Sequence, residues 1–429
     1  MSAIPSSNSS VAVAEAPAAD KPAPGTGSEG QTFLVGDTLY LRAFELSDAK
    51  HARAWRTSSF PITSERAEEL LKKQSPDDHK ERRTRLLAVR RTDDMPVGAV
   101  SFQVWGDQAY NVRLHADPAL GAAPGAAIKA ELLSILVPWL LHERDRTSLW
   151  ADLVDGEEPV LAAARALGMR EVGCFREAFW RNGARHDHLV FEALHPKVVA
   201  RLGDPFEGDE AIRARIAAQR AEFAARPPSS HPIGPVPFEG DPPKNAVMVG
   251  PRIYLRPVEI EDIEQDAIWS RREPETFFDD GRIPRSPIGL AHWVRELAET
   301  DPPGWIRFAI CLRDGDLYIG SNGITDIDWL DGTAETESFI FRPEYRGGGY
   351  GTEAKHLLLA YAFDLLGLHA VRSYVWGPNT RSAAALRKQG YRDAGIGHWA
   401  GYKDGEPTFD VCFDLLAREW RAMRDAAKC

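Results

Sequence analysis

The chain has 429 residues, 43% hydrophobic and 27% charged, with a net charge of −11. That length suggests two or three domains, and the composition is that of a soluble globular protein. The negative balance excludes a general nucleic-acid binder. No stretch reaches the roughly 18 continuous apolar residues of a membrane span, and the N-terminus lacks the basic-then-apolar order of a signal peptide. Cys174, Cys311, Cys412 and Cys429 are scattered without a CxxC, which argues against a disulfide framework or a metal site and fits a reducing cytoplasm.

In chain order, residues 1–31 are rich in Ala, Pro, Ser and Gly with no aromatic residue, and are expected to be a disordered tail. Leu39 to Arg42 alternates like a strand, and a polar helix is expected from the Ser47-Asp48 cap to Arg56. Leu86 to Val89 and Val97 to Trp105 read as strands joined by a turn at Asp93-Asp94. Ile128 to Leu141 reads as an apolar helix, Leu149 to Val154 as a strand, and Pro159 to Leu167 as a helix closed by Gly168. Val172 to Leu194 suggests a hairpin turning at Asn182-Gly183. After Pro196 the character changes: Asp209 to Ala225 is an Ala- and Arg-rich helix candidate, and Pro227 to Lys244 reads as an extended linker.

The opening pattern then begins again. Leu39-Tyr40-Leu41-Arg42 and the acidic positions after it are matched by Ile253-Tyr254-Leu255-Arg256. Gly168-Met169-Arg170-Glu171-Val172-Gly173 is matched by Gly390-Tyr391-Arg392-Asp393-Ala394-Gly395, and Asn182-Gly183 by Asp404-Gly405. Three matching segments in the same order at near-equal spacing are best explained by two domains of one mixed α/β (α+β) fold, each a central mixed β-sheet flanked by helices. The expected division is 32–198 for the first copy, 199–248 for a helix and linker, and 249–429 for the second copy.

The second copy carries a strand from Glu335 to Phe341. It is followed by Arg346-Gly347-Gly348-Gly349-Tyr350-Gly351-Thr352 and a helix with an apolar stripe of Leu358, Leu359, Ala362, Leu365 and Leu366. Strand, glycine-rich turn and helix in that order make an anion site, because glycines let backbone N–H groups approach a phosphate and the helix N-terminus adds partial positive charge. Glu335 and Glu337 lie two apart on the strand and therefore on one face, as a base (direct or through water) or as a solvent-facing edge. Asp326 and Asp328 are weaker candidates that also suit a turn before Trp329.

From Tyr254-Leu255-Arg256-Pro257 through Gly320 and Pro343-Glu344-Tyr345 to Glu419-Trp420, the second copy resembles the GNAT acyl-CoA N-acyltransferases, and within them the branch of the ribosomal-protein N-terminal acetyltransferases. The most specific part is Arg346-x-x-Gly349-x-Gly351, followed by Thr352-Glu353-Ala354 and by Asn379-Thr380-Arg381-Ser382. The resemblance implies acetyl-CoA or another acyl-CoA as cosubstrate, held by Phe341, Arg346, Gly347, Gly348, Gly349, Tyr350, Gly351, Thr352 and Asn379. It implies N-acetyl transfer by direct attack in a ternary complex, with Glu335 or Glu337 as base. The tyrosine that many family members use as general acid is replaced by Leu386, leaving Ser382 as a donor through water or as a polar packing residue. The family's Gly-x-x-Arg turn is altered to Gly395-Ile396-Gly397-His398, where His398 lines the acceptor site or is simply exposed.

The expected acceptor is a primary amine of a small molecule, and the two-copy, Ala- and Arg-rich architecture resembles acyltransferases of antibiotic biosynthesis or resistance. A peptide N-terminus or a non-catalytic scaffold are the alternatives. Trp269, Phe277, Phe278, Trp293 and Trp305 are candidate pocket aromatics, with Glu273, Glu275, Asp279 and Asp280 adding negative charge. The first copy has Gly121-Ala122-Ala123-Pro124 at the loop and Glu157 near the place of Asn379, so it is expected to have lost ordinary CoA binding. It would make the chain a pseudo-dimer in one monomer, or part of a homodimer.

Overall fold

The computed structural model describes residues 32–57, 61–73, 83–181, 183–205, 245–270, 286–298 and 302–426, with isolated positions between 214 and 243. The N-terminal tail, most of the 199–248 helix and linker, Asn182, and the acceptor-side residues Glu273, Glu275, Phe277, Phe278, Asp279 and Asp280 lie outside the described residues, as does the side chain of Trp293.

The strands are β1 (Thr32–Val35), β2 (Leu39–Arg42), β3 (Arg83–Arg90), β4 (Pro96–Trp105), β5 (Gln108–Ala116), β6 (Ser148–Val154), β7 (Arg170–Arg181), β8 (Ala184–Leu194), β9 (Met248–Val249), β10 (Ile253–Pro257), β11 (Ile306–Leu312), β12 (Tyr318–Asp328), β13 (Thr333–Ile340), β14 (Ala370–Trp376), β15 (Arg392–Lys403) and β16 (Glu406–Leu416). The helices are α1 (Ala52–Trp55), α2 (Ser64–Lys73), α3 (Ala122–Pro138), α4 (Glu158–Ala166), α5 (Pro196–Leu202), α6 (Ile260–Ser270), α7 (Pro287–Ala298), α8 (Tyr350–Ala360), α9 (Thr380–Lys388) and α10 (Ala417–Ala426). One sheet runs through all the strands, in the order β1-β2-β3-β4-β5-β6-β8-β7-β15-β16-β14-β13-β12-β11-β10-β9. Read outward from its centre, the two sides have the same order. From β6 to β8 each element recurs at an offset of 222 positions: Ser148–Val154 as Ala370–Trp376, Glu158–Ala166 as Thr380–Lys388, Arg170–Arg181 as Arg392–Lys403, and Ala184–Leu194 as Glu406–Leu416.

Each side has its own apolar core. One packs Leu39, Leu41, Val100, Leu132, Leu136 and Phe191 between sheet and α3. The other packs Ile253, Leu255, Ile310, Leu357, Leu358, Phe363 and Trp420 around α8. The same glutamate clamp, buried only in the second half, ties helix to strand in both. Glu131 of α3 accepts the N–H groups of Thr38 and Leu39 at 2.7 and 2.9 Å, and Glu353 of α8 accepts those of Arg252 and Ile253 at 2.8 and 3.2 Å. Arg42 with Asp48, and Arg256 with Asp262, repeat a second conserved geometry: each carboxylate also accepts the N–H three residues earlier, at 2.8 Å.

The junction is a third cluster, with Phe175, Ala178 and Val190 from one side and Ala394, Cys412 and Tyr374 from the other. β7 and β15 pair at Gly173 and Gly395, where a Cβ on Gly395 would fall 2.2 Å from the Val172 carbonyl oxygen. Buried charges cross this line reciprocally. Arg176 binds Asp414 and Glu419, and its counterpart 222 positions later, His398, binds Glu192 at 2.8 Å through Nδ1. His398 is thus buried between the halves and is not exposed, because β15 runs on as a strand where a turn was expected.

Several expected boundaries shift. The polar helix at Ser47 begins as a 3-10 turn, Leu46–His51, before α1. β1, β5 and β9 have no counterpart in the sequence reading. α3 starts at Ala122, six residues before Ile128. Together with the wider turn Trp139–Glu143 it spans Ala122–Glu143, long and apolar enough to cross a membrane by length and composition, contrary to expectation. Lys129 and Glu131 interrupt the run, and Leu132, Leu133, Leu136, Val137 and Leu140 are buried in the core. In the matching helix Leu365 is 63% exposed. The helix widens to i→i+5 bonding over Tyr361–Leu365, which turns Leu365 outward and buries Phe363 in its place.

The junction gives the first prediction. Asp414 is 2% exposed, so removing its partner leaves a buried charge uncompensated. Arg176→Ala should lower the unfolding free energy by about 3 kcal/mol, measured by urea denaturation, and Arg176→Ala with Asp414→Asn together should lose less than the sum of the single changes.

Candidate active site

The glycine-rich stretch is a built anion cradle. A 3-10 turn, Pro343–Tyr345, ends β13, and Gly347 and Gly349 take left-handed backbone at φ 80° and 82° before α8 begins. Among the described residues no acceptor faces the six successive N–H groups from Gly347 to Thr352. The backbone bonds on either side are Arg346 N–H to Pro343 and Glu353 N–H to Gly349. Six unpaired amides at a helix N-terminus are a large unmet donor capacity, and they fit an anionic diphosphate.

Arg346 donates through Nε to the Ile340 carbonyl at 2.9 Å and through Nη2 to that of Phe341 at 3.3 Å, so it fastens the loop to the strand end. Arg252 closes the other side. It donates to the Gly348 carbonyl and to Glu353, both at 2.8 Å, and lies 4.4 Å from the Tyr350 ring centroid. The sequence reading missed Arg252, whose role follows from the fold bringing the β9–β10 turn onto α8.

Phe341 gives its N–H to Ile319 at 3.0 Å and stacks its ring on Trp269 at 5.4 Å, so its amide is already committed. Asn379 caps α9, its side-chain oxygen accepting the Ser382 N–H at 3.2 Å. Ser382 is half-buried on the first turn of that helix. Trp305 donates to Glu337 at 3.2 Å, and Asp328 forms the turn, accepting N–H groups of Leu330 and Asp331.

β13 and β14 pair in parallel over three residues, the last being Glu335 with Arg372. β14 pairs with β16 on its other edge along its whole length, and beyond Glu335 the edge of β13 facing β14 has no strand partner among the described residues. Glu335 stands at this splay, half-buried, with Glu337 on the same face and exposed. Burial pushes the Glu335 carboxyl up to about 7. Arg372 opposes this, while Asp326, Glu337 and Asp410 reinforce it. Arg372 reaches Asp326 at 3.4 Å and keeps a buried Nε without a hydrogen-bond partner. Burial also pushes Asp410 up to about 7. The arrangement combines a diphosphate cradle with a near-neutral carboxyl at a gap between strands, which suits proton removal from an amine.

The first half lacks the cradle. α3 starts six residues earlier relative to its clamp glutamate, so Gly125 N–H is already bonded to Gly121 and only Ala122 and Ala123 precede Pro124 in the helix. Pro124 sits in a first helical turn, where proline is tolerated, and not in a loop. Glu157, matching Asn379, is paired with Lys129 at 2.6 Å.

Residues 252–392 match the model of the acetyltransferase (GNAT) domain. The uncharacterized N-acetyltransferase p20 of Bacillus licheniformis is 27% identical over 172 residues, 39% of this chain and 95% of that protein. A solved structure from Sphaerobacter thermophilus DSM 20745, assigned as an acetyltransferase, is 34% identical over 38% of this chain and 96% of its own, with a TM-score of 0.31. The spermidine N-acetyltransferase of Vibrio cholerae, solved with CoA and spermine, is 18% identical over 39% of this chain and 98% of its own, with a TM-score of 0.37. The chain thus carries a GNAT acetyltransferase domain in its C-terminal half. It is an acyltransferase of a family that uses acetyl-CoA.

Two predictions follow from the geometry. Gly349→Glu places a side chain on left-handed backbone and a negative charge at the cradle, and should weaken CoA binding about a hundredfold or more by calorimetry. For Glu335 the folded-state value lies above the unfolded one of about 4.3, so its contribution to stability is present at low pH and lost as pH rises through about 7. Glu335→Gln should therefore flatten the fall in melting temperature over that window. It should also lower kcat about a hundredfold or more and remove the acid limb of kcat/KM.

Proposed function

We propose that the C-terminal half transfers an acetyl group from acetyl-CoA to the primary amine of a small molecule, by direct attack within a ternary complex. The observation that carries this reading is the row of six unpartnered amides from Gly347 to Thr352 beside the splay that holds Glu335. The amides would hold the diphosphate of the cosubstrate, and the acyl thioester is the chemistry that cosubstrate supplies. Glu335 takes the proton from the attacking nitrogen. Asp326 and Glu337, exposed on the same side, favour a cationic acceptor at the mouth.

We read residues 32–198 as a degenerate copy of the same fold, 199–248 as the connection, and 249–429 as the catalytic domain. The matched strand order, the paired glutamate clamps and the constant offset support that reading, as do the longer α3 and the Lys129–Glu157 pair, which put helix and side chains in the cradle's place. On this view the first copy stands where the second subunit of a dimer would, and stabilises the second across the junction.

The test is thiol release from acetyl-CoA across monoamines, di- and polyamines, amino sugars and a peptide with a free N-terminus. A small cationic amine should give the highest kcat/KM. A preference for the peptide by tenfold or more would replace the small-molecule reading with N-terminal acetylation.

A further inference from the structure

The thiolate that leaves in acyl transfer must be protonated or stabilised, and the groups already placed at the splay supply a base without a donor. Leu386 is apolar and buried. Tyr391 has its hydroxyl 2.7 Å from Thr336 Oγ1, and burial pushes it well above its ordinary range. Tyr374 is packed against Phe175 in the junction, at 5.5 Å between ring centroids.

Lys355 is different. It lies on α8, three residues past the cradle, and is 3% exposed. Among the described residues it has no ion-pair partner. Its Nζ is 5.9 Å from the Tyr391 ring centroid, and that ring's hydroxyl touches Thr336, the first residue of β13 beyond the last β13–β14 pair. The ammonium therefore approaches the splay from the helix side of the sheet. Glu335 and Glu337, the neighbours of Thr336 on β13, face the other side. A lysine buried against an apolar helix with no carboxylate paired to it is costly, which calls for a function.

We propose that Lys355 is the proton donor to the departing thiolate, working across the strand gap from Glu335. This rests on the acyl-transfer reading above. A neutral acceptor amine forms the new C–N bond and the C–S bond breaks with its electron pair on sulfur. The proton on nitrogen goes to Glu335, and a proton moves from the Lys355 ammonium to the sulfur. Lys355 ends neutral and Glu335 protonated, and exchange with solvent restores both. Burial brings the amine down to about 7, against the opposing pull of Glu337 and Glu335, so at neutral pH it can both hold and give a proton. The titratable groups that act on it are Glu335 and Glu337 on β13, by charge from the opposite face of the sheet, and Tyr391 after α9, whose ring lies beside it.

The test is the titration of the CoA thiol in the binary complex, followed by thiolate absorbance, in the full chain and in Lys355→Met and Lys355→Gln. In the wild type the bound thiol should lose its proton at least tenfold more readily than a free thiol of pKa about 8.5, since an adjacent ammonium favours the thiolate. In both variants it should titrate as a free thiol while CoA affinity stays within about threefold by calorimetry. With acetyl-CoA, kcat should fall about a hundredfold. A wild-type thiol that titrates at the free value, or equally in wild type and variants, overturns the assignment whatever the variants do in turnover. Should the variants fail to bind CoA, the wild-type titration decides alone. No CoA binding by the wild type would overturn both this assignment and the reading beneath it.

Discussion

A single buried carboxylate fixes where the chemistry can happen. Glu353 accepts two backbone N–H groups from the β9–β10 turn and the Arg252 side chain, and so pins the first turn of α8 to the sheet edge. Just ahead of that turn Gly349 caps the helix in left-handed backbone, so the helix begins there and the amides before it stay outside its hydrogen bonds. Arg252 and Arg346 then hold the loop from two sides by its carbonyls, leaving its N–H groups as the unsatisfied donors. Unpaired amides are costly unless water or a ligand meets them, and their concentration on one side of a glycine-rich loop turns that cost into affinity for an anion.

The first half has the clamp without the cradle. Glu131 makes the same bonds to Thr38 and Leu39, so the scaffold is preserved. The alanines before it favour helix, α3 extends to Ala122, and its amides turn inward to their own carbonyls. What this half still provides is a partner surface. Arg176 meets Asp414 and Glu419, His398 meets Glu192, Trp180 meets Asp331 and Tyr402 meets Asp107, pairs that exchange roles across the junction. Because both halves lie on one chain, this contact does not depend on protein concentration.

Much of the second half was legible because its signals are local. The cradle glycines and the carboxylates two apart on β13 depend on spacing alone. The first half was partly misread for the same reason: Gly121 to Pro124 reads as a damaged loop, whereas Gly121 is a helix cap and Ala122 to Pro124 are helix. β5 was missed because polar Asn111, Arg113 and His115 mask its buried positions. His398 and Arg176 could not be placed, since each finds its partner more than 200 residues away. Lys355 escaped because an amphipathic helix would put a lysine in solvent, and α8 is buried from Glu353 to Ala360 on every face.

Calorimetric titration of the full chain with CoA tests the central claim most directly, because it counts cradles. One CoA per chain is the predicted stoichiometry, since one half presents six open amides and the other folds its equivalents into a helix. Two sites per chain, or none, would contradict the account.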